Sequence, residues 1–251
     1  MRILITNDDG IQAPGLRALA ASLQGVHEVF VVAPLAERSG AGHAITLGRP
    51  FRIGEARVEG LDCACWWVDG TPADCAKAGL KYLVGPVDAV LSGINLGANV
   101  GTDALYSGTV NAAMEAAMMG YPAVALSIPW TDRSPVFDAA VTIAPRALEW
   151  ARALPRDCML NVNCPGRAAV RGIRVASPEI LDYTDGYEEL TGPQGERQLQ
   201  LRGMAAIPEH PEGDTDSHTL YAGYVAVTPL RFVAGHGEAM TALQRMIEEE
   251  K

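Results

Sequence analysis

Short apolar segments that end in polar or glycine-rich clusters alternate along this chain with segments of helical period. This alternation is typical of a parallel β-sheet covered by helices on both faces, so it predicts an α/β fold. The predicted strands cover residues 2–6, 28–33, 66–68, 88–92, 123–127 and 159–162, and a later strand lies in YVAVTPL. Helices are predicted to begin near Pro14, Pro72, Gly108, Ser134 and Glu238.

The periodicity is lost over residues 178–217, where glycine, proline and charged residues are scattered. We interpret this stretch as a protruding arm or hairpin on a single domain that spans residues 1–251.

Composition limits the classes of function that the chain can serve. Its 251 residues are 48% hydrophobic and carry a formal net charge of -10, which disfavours binding to a nucleic-acid polymer. The first residues lack the features of a secretion signal, and no apolar run reaches membrane-spanning length. The five cysteines are odd in number and lie in apolar segments, as reduced core thiols do. We expect a cytoplasmic protein with no membrane partner.

Two adjacent acidic residues follow the first predicted strand in the segment NDDG. Ligands of open α/β sheets bind outside the carboxyl ends of the strands, and another predicted strand leads to Asn95 in SGINLGANVG. Carboxylate and amide oxygens suit magnesium or manganese, and a divalent cation makes adjacent carboxylates tolerable. An Asx turn or a helix cap is the alternative interpretation of Asp8 and Asp9.

The segment YSGTVNAAMEAAMMG predicts an anion site at the start of a helix. Ser107 is a good N-cap, and the backbone N–H groups of Gly108 and Thr109 belong to the first turn, where they lack helical partners. An ordinary capped helix is the alternative. A hard-metal site and an anion site at the same edge of one sheet together predict metal-assisted hydrolysis of a phosphate ester.

Several other phosphate and hydrolase motifs are absent or incompatible. The chain has no G-x-x-x-x-G-K-[ST], no G-x-G-x-x-G and no G-x-S-x-G. A haloacid-dehalogenase-type phosphatase would require an aspartate at Asn7, because an amide cannot act as the nucleophile. A nucleotide-sensing domain that binds without releasing phosphate remains the non-enzymatic alternative.

Six segments in order resemble the SurE survival-protein family of 5'(3')-nucleotidases over nearly the whole chain. They are ILITNDDGIQAPGL, APLAERSGAGHAITL, VDGTPADC, LSGINLGANVGTDALYSGTVNAAMEA, LNVNCP and GDTDSHTLYAGYVAVTPL. The resemblance implies a Rossmann-like fold and a phosphatase that uses one Mg²⁺ or Mn²⁺ per subunit and acts on nucleoside monophosphates. It also implies homodimers or homotetramers with exchanged C-terminal elements.

The resemblance further implies the roles of individual residues. The implied metal ligands are Asp8, Asp9, Ser39 and Asn95, and the implied phosphate donors are Asn99, Ser107, Gly108 and Thr109. Attack on phosphorus would come from a metal-activated water, with Asp8, Asp9, Asn95 and Ser107 as the catalytic group. The general acid and the preferred base stay open, as does the choice between 5' and 3' esters. The segment GPQGERQLQLRG departs from the family because Gln198, Leu199 and Gln200 stand where aromatic residues are expected.

Overall fold

The computed structural model describes residues 1–130, 135–166, 170–203, 213–233 and 237–249. The strands are β1 (Arg2–Thr6), β2 (Glu28–Pro34), β3 (Ile53–Ala56), β4 (Ala64–Val68), β5 (Ala89–Leu96), β6 (Ala123–Ile128), β7 (Cys158–Asn163), β8 (Ile173–Val175), β9 (Gly186–Thr191), β10 (Arg197–Arg202) and β11 (Val225–Arg231). The α-helices are α1 (Pro14–Leu23), α2 (Pro72–Ala78), α3 (Gly108–Met118), α4 (Asp138–Ala153), α5 (Asp216–Tyr221) and α6 (Gly237–Glu249). A short π-helix, Gly79–Leu83, follows α2, and a 3₁₀ turn, Gly101–Leu105, precedes α3.

The central sheet determines where a ligand can bind. Across the described residues its strand order is β3-β4-β2-β1-β5-β6-β7-β11-β8. The six strands from β4 to β7 run parallel, while β3 and β11 are antiparallel to β4 and β7. The chain moves outward from β1 through β2 on one side and from β5 through β6 on the other. The strand order therefore reverses between β1 and β5, where open α/β sheets form their ligand crevice.

Helices cover both faces of this sheet, which gives three layers. One buried apolar cluster joins the sheet to α1 and α4 and includes Leu16, Leu19, Ile143 and Leu148. The other joins the opposite face to α2 and α3 and includes Cys75, Val110 and Ala113. The predicted α/β sandwich with a mostly parallel sheet is confirmed. None of the helices in the described residues is long and apolar enough to cross a membrane.

The helix starts follow from local hydrogen-bonding chemistry. Thr71 caps α2 by accepting the Asp74 N–H, and the Asp74 side chain in turn accepts the Thr71 N–H, which makes a capping box. Ser107 caps α3 by accepting the Val110 N–H at 3.1 Å. Gly120, at φ +90°, follows the end of α3, as expected for a residue that closes a helix.

Two sequence predictions differ from the structure or lie outside it. The strand predicted over residues 88–92 runs on to Leu96, because an irregularity in the β5–β6 register between Gly93 and Asn95 lets pairing continue. Asn95 therefore belongs to β5 and does not follow it. The helix start predicted near Ser134 falls outside the described residues, and the helix that follows begins at Asp138.

The predicted arm contains a separate two-stranded antiparallel hairpin made by β9 and β10. Three of its apolar side chains are exposed: Tyr187 by 72%, Leu199 by 64% and Leu201 by 57%. Arg197 pairs with Glu189 and Arg202 with Glu188 across the two strands. Part of the predicted arm, residues 204–212, lies outside the described residues. That residues 1–251 form one domain stays a prediction.

A close helix–strand contact next to the crevice yields a stability prediction. A Cβ atom on Gly15 would lie 2.0 Å from the Ile94 carbonyl oxygen, whereas one on Gly25 would meet no heavy atom within 4 Å. Gly15→Ala should lower the free energy of unfolding by on the order of 1–3 kcal/mol, because the backbone must move apart. Gly25→Ala is the matched control and should change it little. Urea unfolding of both variants measures the difference, and wild-type stability of Gly15→Ala would contradict the prediction.

Candidate active site

The predicted acidic pair lies at the point where the strand order reverses. Asp8 and Asp9 follow β1, and Asn95 lies near the end of the neighbouring β5. The Leu96 N–H donates to Asp9 Oδ2 at 3.4 Å, which ties the two strand ends together. The loop after β2 also reaches this point, because the Arg38 N–H donates to the Asp8 carbonyl oxygen at 2.8 Å.

Asn7 shapes the turn that presents the two carboxylates. Its side-chain amide donates to the Gly10 carbonyl at 3.0 Å and accepts the Gly10 N–H at 3.2 Å. Gly10 has φ +105°, a conformation that few residues other than glycine adopt. The amide of Asn7 is thus occupied in closing the turn.

The start of α3 lies directly against Asp8. The Thr109 hydroxyl donates to Asp8 Oδ1, and the Thr109 N–H donates to the same side chain. A Cβ atom on Gly108 would lie 2.8 Å from Asp8 Cβ and 2.9 Å from Asp8 Oδ2. Only a glycine therefore allows the first turn of the helix to approach this closely. The contact brings the predicted metal site and the predicted anion site together.

The two carboxylates are poorly stabilised as a pair of anions. Burial raises the pKa of Asp9 to about 7, and the charge of Asp8 adds to that rise. Burial also raises the pKa of Asp8, although the hydrogen bonds from Thr109 oppose the rise. Asp8 is buried and Asp9 is half-buried, and two such carboxyl groups with raised pKa values favour a bound cation, which would stabilise both charges.

Glu37 is a nearby acid that the sequence analysis did not select. Its charge raises the pKa of both Asp8 and Asp9, so it adds to the negative potential at the crevice. The sequence feature that could have pointed to Glu37 is its position two residues before Ser39, in the loop that leaves β2.

The remaining predicted metal ligands offer neutral oxygen atoms. Asn95 donates its amide N–H to the Gly97 carbonyl at 2.8 Å, which leaves its side-chain oxygen as the coordinating atom. Ser39 is exposed and donates its hydroxyl to Glu37 Oε1 at 2.6 Å, so the Ser39 oxygen keeps its lone pairs. In the described part of the chain, no three His, Cys, Asp or Glu side chains gather as a metal-binding group. A donor set of two carboxylates, an amide and a hydroxyl fits Mg²⁺ or Mn²⁺ and does not fit zinc.

The predicted phosphate donors divide into two groups. Ser107, Gly108 and Thr109 lie together at the start of α3. Asn99 lies in a buried polar network, where its amide donates to Ser127 Oγ at 2.8 Å and its backbone contacts Asn161 and Asn163.

This network was not predicted from the sequence. The feature of the sequence that points to it is the pair of asparagines in LNVNCP, at the end of a predicted strand. The ligand roles assigned from the resemblance stay predictions.

Comparison with known proteins places the chain in a family. The model of the family described as Survival protein SurE matches residues 3–185. A protein named 5'-nucleotidase SurE from Pelotomaculum thermopropionicum is 40% identical over 100% of this chain and 97% of its own length. A protein of the same name from Nitratidesulfovibrio vulgaris (strain DP4) is 44% identical over 99% of this chain and 100% of its own length. The crystal structure of the SurE protein from Aquifex aeolicus matches with a TM-score of 0.81 and 32% identity, over 98% of this chain and 99% of that one. With its carboxylate pair and helix start meeting at the β1–β5 crevice, this chain belongs to the SurE family.

Proposed function

We propose that this chain is a divalent-metal-dependent phosphatase that hydrolyses nucleoside 5'-monophosphates to nucleoside and phosphate. The contact between Gly108 and Asp8 carries the proposal, because it joins a helix start, which favours anions, to the carboxylate pair. The relatives named 5'-nucleotidase SurE support the choice of substrate. We include 3'-monophosphates as second substrates, because the proposed donors recognise the phosphate group that both esters share.

Asp8, Asp9, Ser39 and Asn95 would hold the metal, and their oxygen donors favour Mg²⁺ or Mn²⁺. When bound, the cation would supply Lewis acidity toward the phosphate and lower the pKa of a water molecule.

The residues of the chain would supply the rest of the chemistry. The Gly108 N–H and the Ser107 hydroxyl would bind the phosphate oxygens and stabilise their charge during transfer. The next two N–H groups of the first turn are already bound, that of Thr109 by Asp8 and that of Val110 by Ser107 Oγ. Thr109 holds Asp8 in one orientation through its hydroxyl and its N–H. Asp8 or Asp9 would accept the proton that the attacking water loses as its oxygen bonds to phosphorus. The P–O bond to the nucleoside would then break, and the nucleoside oxygen would take a proton from a second water molecule.

Phosphate release tests the proposal directly. Purified protein should release phosphate from nucleoside 5'-monophosphates with Mg²⁺ or Mn²⁺, and excess chelator should abolish the release. Nucleotide binding without phosphate release would indicate a nucleotide-sensing domain instead. Full activity in chelator would exclude a metal-dependent mechanism.

We further propose that the protein is a cytoplasmic homodimer or homotetramer that uses its hairpin arm for assembly. The exposed side chains of Tyr187, Leu199 and Leu201 lie on one face of the hairpin, and such apolar surface favours a partner subunit. The five cysteines are free thiols, in agreement with a reducing compartment.

Removing one carboxylate should have opposite effects with and without metal. Burial raises the folded-state pKa of Asp9 to about 7, above the ordinary value of an aspartate. The protein therefore loses stability as pH rises from about 4 toward 8, because the unfolded chain releases this proton at a lower pH than the folded chain does. At pH 8, Asp9→Asn should stabilise the metal-free protein by roughly 1–3 kcal/mol and reduce the Tm rise that Mn²⁺ produces. Thermal unfolding with and without Mn²⁺ measures both effects. A wild-type response to Mn²⁺ in the variant would contradict a role for Asp9 in metal binding.

Substitutions at Ser107 can separate helix capping from phosphate binding. Glycine is nearly as good an N-cap as serine but has no hydroxyl, so Ser107→Gly should keep the Tm within a few degrees. Loss of the hydroxyl donor should lower kcat on the order of 100-fold, and Ser107→Thr should retain more activity because it keeps the hydroxyl. Steady-state kinetics at saturating Mn²⁺ test this. Normal turnover by Ser107→Gly would show that Ser107 only caps the helix.

A charge on the apolar face of the hairpin should disrupt assembly. Leu201→Glu places a carboxylate where a partner is expected, so the molar mass from light scattering should fall toward that of a monomer. Tyr82 is exposed and lies outside the hairpin, so Tyr82→Glu is a matched control that should leave the mass unchanged. A wild type that is already monomeric would refute the proposed assembly.

A further inference from the structure

The segment from Arg38 to Thr46, which we call the Ser39 segment, has no regular secondary structure but is attached to two helices. It lies in the connection between β2 and β3. The two side chains that hold it are Asp74 on α2 and Glu115 on α3, each buried to 4% exposure. Neither carboxylate has a role in the proposed reaction.

Asp74 binds the far end of the Ser39 segment. Its Oδ1 accepts the Thr46 N–H at 2.9 Å, and its Oδ2 accepts the Thr46 hydroxyl at 2.6 Å. Oδ2 also accepts the Thr71 N–H at 2.9 Å in the capping box of α2. Thr71 donates its own hydroxyl to the Ala44 carbonyl at 2.6 Å. A buried carboxylate needs several such donors, and the Ser39 segment supplies two of the three that contact Asp74.

Glu115 binds the middle of the same segment. Its Oε2 accepts from His43 Nε2 at 3.1 Å, and its Oε1 pairs with Lys77 Nζ at 2.5 Å. The His43 hydrogen bond, followed by the contact with Lys77, holds the pKa of Glu115 below its usual value. Because Lys77 lies on α2, the pair of Lys77 and Glu115 also links the two helices without the segment.

The near end of the segment reaches the crevice itself. The Arg38 N–H donates to the Asp8 carbonyl, and the Gly42 N–H donates to the Tyr106 carbonyl at 3.0 Å, one residue before the cap of α3. Along the chain, Ser39 thus lies between Arg38, which contacts the Asp8 backbone, and the residues that bind Glu115 and Asp74.

We infer that Asp74 and Glu115 are positioning residues that hold the Ser39 segment against α2 and α3 and thereby set the affinity of the crevice for its divalent cation. The part that concerns the cation rests on the proposed function. Partners that orient metal ligands typically change metal affinity 10- to 100-fold when they are removed.

The decisive variants change the segment and leave the two carboxylates in place. His43→Ala removes one attachment while Glu115 keeps Lys77, and Thr46→Val removes the hydroxyl bond while Asp74 keeps Thr71. His43→Gln and Thr46→Ser retain a donor at each position and should rescue the loss. His27→Ala and Thr142→Val remove a similar side chain far from the segment and serve as matched controls.

Limited proteolysis measures the attachment without reference to metal or activity. Trypsin can cut after Arg38, at the near end of the segment, but not after Arg49, because Pro50 follows it. The combined variant His43→Ala with Thr46→Val should be cut there at least about tenfold faster than the wild type, because it lacks two of the hydrogen bonds that hold the segment. Cleavage at the wild-type rate would overturn the inference.

Calorimetric titration with Mn²⁺ measures the consequence for the metal. The combined variant should bind Mn²⁺ about tenfold more weakly, and kcat at saturating Mn²⁺ should stay within about twofold of wild type. An unchanged Kd in a variant that trypsin cuts faster would also overturn the inference. A wild type that neither binds Mn²⁺ nor releases phosphate would instead refute the proposed function. A fully active wild type with indistinguishable variants would refute only the inference.

Discussion

The site depends on one close approach, that of the first turn of α3 to the Asp8 side chain. A Cβ atom on Gly108 would lie 2.8 Å from Asp8 Cβ, so any other residue would push the helix away from the carboxylate. Thr109 then anchors Asp8 through its hydroxyl and its N–H. The positive end of the helix dipole thus faces two acids whose pKa values burial has raised, and a phosphate and a cation could bind side by side.

The surrounding fold provides this approach through topology. Because β1 and β5 are neighbours at the reversal of strand order, the turn after β1 and the chain that enters α3 leave the sheet at the same edge. Gly15 lets α1 pack against Ile94 at the end of β5, and Asn7 closes the turn that carries the acids. The buried carboxylates of Asp74 on α2 and Glu115 on α3 bind the segment that carries Ser39.

Local patterns in the sequence predicted most of the strands of the sheet and the starts of α1, α2 and α3. They also predicted that Asp8 and Asp9 lie near the start of α3. These predictions rest on short-range signals, which are the short apolar runs of the strands and the capping residues of the helices. The structure contains the predicted caps, with Thr71 before Pro72 at the start of α2 and Ser107 at the start of α3. The continuation of β5 through Asn95 was missed because it depends on pairing with β6. The networks around Asn99 and Asp74 were missed for a related reason, since each joins residues far apart in the chain. Glu37 was overlooked because its effect arises only when the loop folds back toward Asp8.

The central claim is that one crevice holds the cation and the phosphate together, and anomalous diffraction from crystals grown with Mn²⁺ and inorganic phosphate tests it most directly. The expected result is a Mn²⁺ peak at roughly 2 Å from carboxylate oxygens of both Asp8 and Asp9, with phosphate oxygens at the Gly108 N–H and the Ser107 hydroxyl. An ordered Mn²⁺ that contacts neither aspartate, or a phosphate that binds away from the start of α3, would contradict it.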